Sequence, residues 1–305
     1  MKLATTTGDF DFWCHDYMEG VKNVCDAGFR YIDLGMYSVW ENDSLLLNED
    51  WRDYAKKLNE YAHSREAQFV QAHSPGGNPL DTGNLGYERL INTTIRSIEV
   101  CGELGIPNIV VHAGFGKTLS KEEYFEKNKE FYKKLFPAME KHNVCVLCEN
   151  STAANMGDMY YTNSGADMKS FVEYVDHPLF HACWDTGHAN TEGSQYDEIK
   201  TVGSDLYAVH IHDNRGACDE HIIPWFGTIS MDEVMHALID SGYKGYFTFE
   251  AESSLRKSKS FFGDRRTFNK ECRLVEPQLF MQKHLEKFLF EIGVYILKSY
   301  NCYEE

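Results

Sequence analysis

The sequence lacks any run approaching the roughly 18 consecutive apolar residues that a membrane-crossing helix requires, so a helical membrane protein is not expected. It is also short of positive charge: 30 Lys and Arg stand against 47 Asp and Glu, for a net charge of −17. Such a surface repels polyanions, and tight nucleic-acid binding depends on Lys and Arg displacing phosphate counterions, so nucleic acid is disfavoured as a partner. No basic stretch followed by an apolar run occupies Met1 to Phe12; a secretory leader is not expected, and the chain reads as cytoplasmic. Low-complexity segments and linkers are missing too. A chain of 305 residues then suits one domain over 1–305, since a (β/α)8 barrel needs roughly 250 residues before insertions.

Cysteine is not scarce, but its pattern excludes a disulfide scaffold. Nine residues (Cys14, Cys25, Cys101, Cys145, Cys148, Cys183, Cys218, Cys272 and Cys302) are spread over a long chain, and an odd number leaves one unpaired. Cys145 and Cys148 have CxxC spacing inside a strand-like run. Residues three apart on a strand face opposite sides, so these two are expected in the core and not on a shared metal.

What is present is a repeated alternation. Short β-branched or aromatic runs occur at Leu3 to Thr7, Tyr31 to Leu34, Phe69 to His73, Asn108 to His112, Val144 to Glu149, His181 to Asp185, Tyr207 to His212 and Tyr246 to Glu250. Helical spacing of apolar residues predicts helices over Glu49 to Ser64, Tyr87 to Leu104, Lys121 to His142, Ala166 to Val175 and Met231 to Ser241. Gly28, Gly105 and Gly242 stand where helices would end before a strand. Eight strands alternating with helices predict a parallel sheet closed into a TIM barrel, an α/β fold. After the eighth strand a long basic loop over 253–276 carries Arg256, Lys257, Lys259, Arg265, Arg266 and Lys270, and a closing helix follows over 277–298, with Pro277 suited to its first turn.

The chemistry concentrates at the C-terminal ends of strands, the face that carries active sites in this fold. His73, His112, Glu149, Asp185 with His188, His210 and Glu250 all occupy such ends, and Asp219 and His221 follow in the loop after strand seven. So many buried acids and imidazoles at one mouth call for a compensating cation. Glu149, Asp185, His210 and Glu250 make a mostly oxygen-donor set suited to a divalent ion, Mn²⁺ first, with Mg²⁺, Co²⁺ or Zn²⁺ admissible. His210 and His212 are two apart on one strand and face the same side, so spacing does not choose between them.

Taken together, LCEN, WDTGH, HIHD, the DxH of Asp219 to His221 and the FTFE ending resemble the xylose-isomerase-like TIM barrels. That family includes sugar phosphate isomerases and epimerases, D-tagatose 3-epimerase, inosose-processing enzymes and endonuclease IV. The resemblance covers nearly the whole barrel, and HIHD matches the family's HxxD best with His210 first. It implies a metal on Glu149, Asp185, His210 and Glu250, with Glu149 and Glu250 exchanging a proton next to a substrate carbonyl and His188 steadying a substrate oxygen. Substrate-contacting roles fall to His73, His112, His212, Arg215, His221, Trp13 and Trp40. The ketose epimerases carry an Arg six residues after the ligand His; here that position is Gly216, with Arg215 beside it.

The implied activity is a metal-dependent sugar isomerase or epimerase working through an enediolate. The family also implies a lyase, either a dehydratase or a C-glycoside deglycosidase subunit with a small partner. The nine strand-end and loop ligands match the three-zinc set of endonuclease IV as well. Trp13, His15, Tyr37, Trp40, Tyr160, Tyr161, Trp225 and Phe226 make the mouth loops aromatic, which favours a sugar or glycoside without phosphate. A homo-oligomer or a small partner subunit is compatible with the chain; a membrane is not expected.

Overall fold

A computed structural model of the chain describes residues 1–251, 253–255 and 278–305. Eight strands pair in chain order, each parallel to the next, and the last returns to the first to close the ring. They are β1 (Leu3–Thr6), β2 (Tyr31–Gly35), β3 (Gln68–His73), β4 (Asn108–Val110), β5 (Cys145–Glu149), β6 (Phe180–Asp185), β7 (Leu206–Ile211) and β8 (Phe247–Phe249). Every one lies within a residue or two of the run that predicted it. The fold is a single-domain TIM barrel, as expected.

Alternation along each strand divides the core in two. On β5, Val146 and Cys148 join the large cluster between strands and helices, while Leu147 joins Val110, Cys183 and Ala208 in a small interior cluster with Cys145 packed against it. Cys145 and Cys148 thus face opposite sides of the sheet, and every described cysteine is a free thiol.

The connections are α1 (Tyr17–Ala27), α2 (Trp51–Ser64), α3 (Tyr87–Leu104), α4 (Lys121–Lys133), α5 (Phe136–His142), α6 (Ala153–Met156), α7 (Gly165–Val175), α8 (Thr186–Glu192), α9 (Tyr196–Val202), α10 (Met231–Asp240) and the closing α11 (Leu279–Ser299). One expectation needs correction: the segment from Lys121 to His142 is two helices, not one. Pro137 stands in the first turn of α5, where its missing N–H costs nothing; inside a continuous helix it would break a hydrogen bond and clash with the preceding turn. The expected basic loop from Arg256 onwards, Pro277 and Glu252 lie outside the described residues. Among those described, no helix is long and apolar enough to cross a membrane.

Helix α11 seals the ring by close contact. A Cβ on Gly293 would come within 2.5 Å of Leu3 and 2.7 Å of Phe249, and one on Gly28, after α1, would come within 2.8 Å of the Phe290 ring. Glu286, on the same helix, is buried, and neither of its carboxylate oxygens has a hydrogen-bond partner among the described residues. Burial raises its pKa to about 7 despite the lowering influence of Asp9 and Thr5. Between the ordinary value of 4.5 and about 7, the folded chain keeps a proton that the unfolded chain has lost, so Glu286 makes stability fall as pH rises through that window. Glu286→Gln is therefore expected to raise the urea midpoint over wild type above pH 7, with the gap closing as pH falls to 4.5. A gap that does not change with pH would show that Glu286 does not titrate there.

Candidate metal centre

Glu149 ends β5, Asp185 ends β6, His210 is the penultimate residue of β7 and Glu250 follows β8 directly. One ligand atom from each of the four lies within 4.8 Å of all the others. His210 Nδ1 contacts Glu149 Oε1 and stands 3.3 Å from Glu250 Oε2. Glu149, Asp185 and His210 are buried, and the Glu250 side chain keeps 20% of its surface exposed, which leaves the group open on one side. The strand register explains the convergence: Asp185 and His210 are direct partners across β6 and β7.

Three carboxylates this close in a buried site repel one another unless cations stand among them. Within the protein, imidazoles take that part. Burial opposes charge at Glu149, but His210 and His112 outweigh it and hold the carboxyl well below its ordinary range. Burial likewise opposes charge at His188, yet Asp185 and Asp219 hold its imidazolium up to about 10. A divalent ion does the same work with oxygen and nitrogen donors already aimed at it, so the donor set fits such an ion.

Local sequence explains how the ligands are held. In WDTGH, Asp185 is the N-cap of α8: its Oδ1 accepts from the His188 backbone N–H at 2.6 Å, and its Oδ2 lies 2.9 Å from His212 Nε2. Thr186 donates to the His210 and His212 carbonyls, tying the motif to β7. Gly187 is required, because a Cβ there would stand 1.8 Å from the His212 ring. In HIHD, the buried Asp213 carboxylate accepts backbone N–H bonds from Asn214, Trp225, Gly227 and Ile229, between 2.8 and 3.0 Å, and so organises the loop after β7. That loop holds Trp225 at φ 75°, a conformation bulky residues rarely adopt.

Two further groups flank the first. His73, His112 and Glu149 bring ligand atoms together on one side: His112 Nε2 is 2.6 Å from Glu149 Oε2 and 3.1 Å from His73 Nε2. The Nδ1–H of His73 donates to the Ser74 carbonyl, and burial, aided by the neighbouring His112, lowers its pKa to about 3, leaving Nε2 unprotonated and facing His112. On the other side are His188, Asp219 and His221. His212 is fully buried and stacks on His221 at 3.8 Å between ring centroids. The four-residue set contains His210 and not His212, which groups with His221 and Glu250.

Other expected site residues are differently engaged. Arg215 donates to Glu220 from both its guanidinium and its backbone N–H, at 2.7 and 2.8 Å. Trp40 stacks on His15, and Trp13 packs edge-on to Phe12, so both line the β1 and β2 loops. Tyr160 and Tyr161 donate to the Ala113 and Leu119 carbonyls and fasten loops down. Tyr37 stands 5.4 Å from the His73 ring and is half exposed. Trp225 and Phe226 are among the exposed large side chains.

Sequence reasoning missed the residues behind the ligands. Asn150 bonds both the N–H and the carbonyl of Asp185 and accepts from His188 Nδ1 through its own carbonyl. Asp33 and Gln71, buried on β2 and β3, meet the far side of His210: Gln71 Nε2 donates to Asp33 Oδ2 at 2.6 Å, and His210 Nε2 lies 2.9 Å from Gln71 and 3.5 Å from Asp33. A charged residue in the middle of a buried strand is the signal that marks Asp33.

Compared with known proteins, residues 21–275 match the family described as xylose isomerase-like TIM barrel. The chain belongs to that family. An uncharacterised protein of Sinorhizobium fredii is 25% identical over 201 residues, 63% of this chain and 62% of the relative, so the match leaves over a third of that protein uncovered. A probable endonuclease 4 of Cenarchaeum symbiosum is 28% identical over 196 residues, 59% and 68% of the two chains. The fructoselysine 3-epimerase of Escherichia coli is 32% identical over 95 residues, 31% and 27%. The structure of D-psicose 3-epimerase from Clostridium cellulolyticum with D-tagatose superposes with a TM-score of 0.73 at 19% identity, covering 97% and 99% of the chains. The proteins that this chain resembles thus carry more than one kind of activity.

A His210 that ligates through Nδ1 must carry its proton on Nε2, and Asp33 is the carboxylate within reach to accept it. Asp33→Asn is expected to weaken Mn²⁺ binding by about 10- to 100-fold in a calorimetric titration, the range seen when such supporting carboxylates are lost. Unchanged affinity would show that Asp33 does not support the ring.

Proposed function

We propose that this chain is a divalent-metal-dependent isomerase or epimerase of an unphosphorylated sugar or polyol. The observation that carries the reading is the approach of Glu149, Asp185, His210 and Glu250 to within 4.8 Å at the mouth of the barrel. The likenesses to a fructoselysine 3-epimerase and to the D-psicose 3-epimerase fold support it.

Glu149 and Glu250 stand on strands three apart around the ring, so they approach a substrate from different sides. One removes the proton from the carbon beside the carbonyl, and the other returns a proton to the opposite face, which inverts that carbon. A bound divalent ion supplies the Lewis acidity that makes the enediolate accessible. His188, protonated at neutral pH, is placed to donate to a substrate oxygen as negative charge develops. The described loops at the strand ends carry Lys117 and Arg215 as their basic side chains, and Arg215 is engaged by Glu220. That is a poor cradle for phosphate, which calls for several Arg, Lys or helix N-termini.

One observation favours a second reading. The two flanking groups complete the ligand set of a three-metal nuclease, and a probable endonuclease 4 is among the relatives. The net charge of −17 and the few basic side chains on the described mouth loops weigh against a DNA substrate. Three zinc ions per chain with incision of an abasic duplex would establish the nuclease in its place.

The direct test of the first reading is exchange with solvent. With Mn²⁺ and a panel of free ketoses in deuterated water, the protein is expected to place one deuterium on the carbon next to the carbonyl and to yield an isomer otherwise unchanged in mass. Glu149→Gln and Glu250→Gln should each slow that exchange by about 100-fold or more. Loss of water or release of an aglycone, with no exchanged isomer, would contradict it.

A further inference from the structure

Cys183 lies two residues before Asp185 on β6, inside the barrel, and is the direct register partner of Glu149 on β5. Its sulfur, a Glu149 oxygen and a His210 nitrogen also come within 4.8 Å of one another. Two of the four donors described above are therefore shared with a second group, displaced towards the barrel floor, whose third member is a thiol. We propose that Glu149, Cys183 and His210 form a second, softer seat for the ion, which takes a thiophilic metal such as Zn²⁺ or Co²⁺ with a sulfur donor. This rests on the reading that the centre binds a divalent metal.

The chemistry of the two seats differs. The upper seat adds Asp185 and Glu250 and is dominated by carboxylates, which suit Mn²⁺ or Mg²⁺; the lower replaces them with sulfur, which selects softer ions. Two donors on one Zn²⁺ are no more than roughly 4.6 Å apart, given bonds of about 2.0–2.3 Å, so small side-chain adjustments close the group. On binding, the thiol loses its proton to water and the sulfur takes the ion, so charge and atoms balance.

A second observation points to the same depth. Asp33 Oδ1 and Thr248 Oγ1 are fully buried and have no hydrogen-bond partner among the described residues. Asp33 stands beside His210 Nε2, and Thr248 is the register partner of His210 on β8. Phe247 and Phe249 pack outwards in the large cluster, which turns Thr248 to the interior. Unpartnered polar atoms so deep in a barrel mark room for an ion or the water that it carries.

Cobalt reports directly on sulfur. Titrating the full chain with Co²⁺ is expected to produce a sulfur-to-cobalt charge-transfer band. Cys183→Ser and Cys183→Ala should lose that band while still taking up cobalt by calorimetry, and Cys145→Ala should keep it. Cobalt binding to wild type without the band, or a band that survives in both Cys183 variants, would overturn the second seat and leave the four-residue centre standing. If wild type takes up no cobalt and no manganese, the metal reading itself fails along with it.

Discussion

The structure depends on one electrostatic constraint: carboxylates brought together where the strands of a closed barrel end must be neutralised. Glu149, Asp185 and Glu250 cannot avoid one another, because register and parity aim them at a common point. Within the site His210 answers part of that charge through its Nδ1, and a divalent ion taking that nitrogen would displace the proton it carries. Binding should therefore tighten as pH rises, a consequence of the same balance.

The barrel makes this arrangement affordable by dividing labour between its faces. A large cluster of aliphatic and aromatic side chains packs between strands and helices, while a small interior cluster of Val110, Leu147, Cys183 and Ala208 fills the space below the mouth. Above that cluster, many of the polar groups are held by hydrogen bonds to the backbone. Asp185 caps α8, Asn150 ties β5 to β6, and Asp213 gathers four N–H groups from the loop after β7. Motif residues that a sequence reader assigns to catalysis are thus partly structural: in DTGH and HxxD, one Asp serves as ligand candidate and cap, and the other holds a loop.

Much of this was legible in the sequence because strands announce themselves by composition, and a His, Asp or Glu at the end of such a run needs no side-chain geometry to be noticed. His210 and His212 were inseparable, since a period of two gives them the same face; only the position of His212 beyond the last residue of β7, against Asp185 and His221, separates them. Arg215 could not be seen to spend itself on Glu220, because a pairing within a loop leaves no periodic trace. The break between α4 and α5 turns on Pro137, which a count of apolar spacing passes over. Asp33 and Gln71 reach His210 from distant strands, so only the closed ring brings them together.

The central claim is that one divalent ion sits where β5, β6, β7 and β8 converge. Anomalous diffraction from a crystal grown with Mn²⁺, recorded at the manganese edge, tests it most directly. One peak within bonding distance of Glu149, Asp185, His210 and Glu250 is the predicted result; no peak there, or manganese held only elsewhere on the molecule, would contradict it.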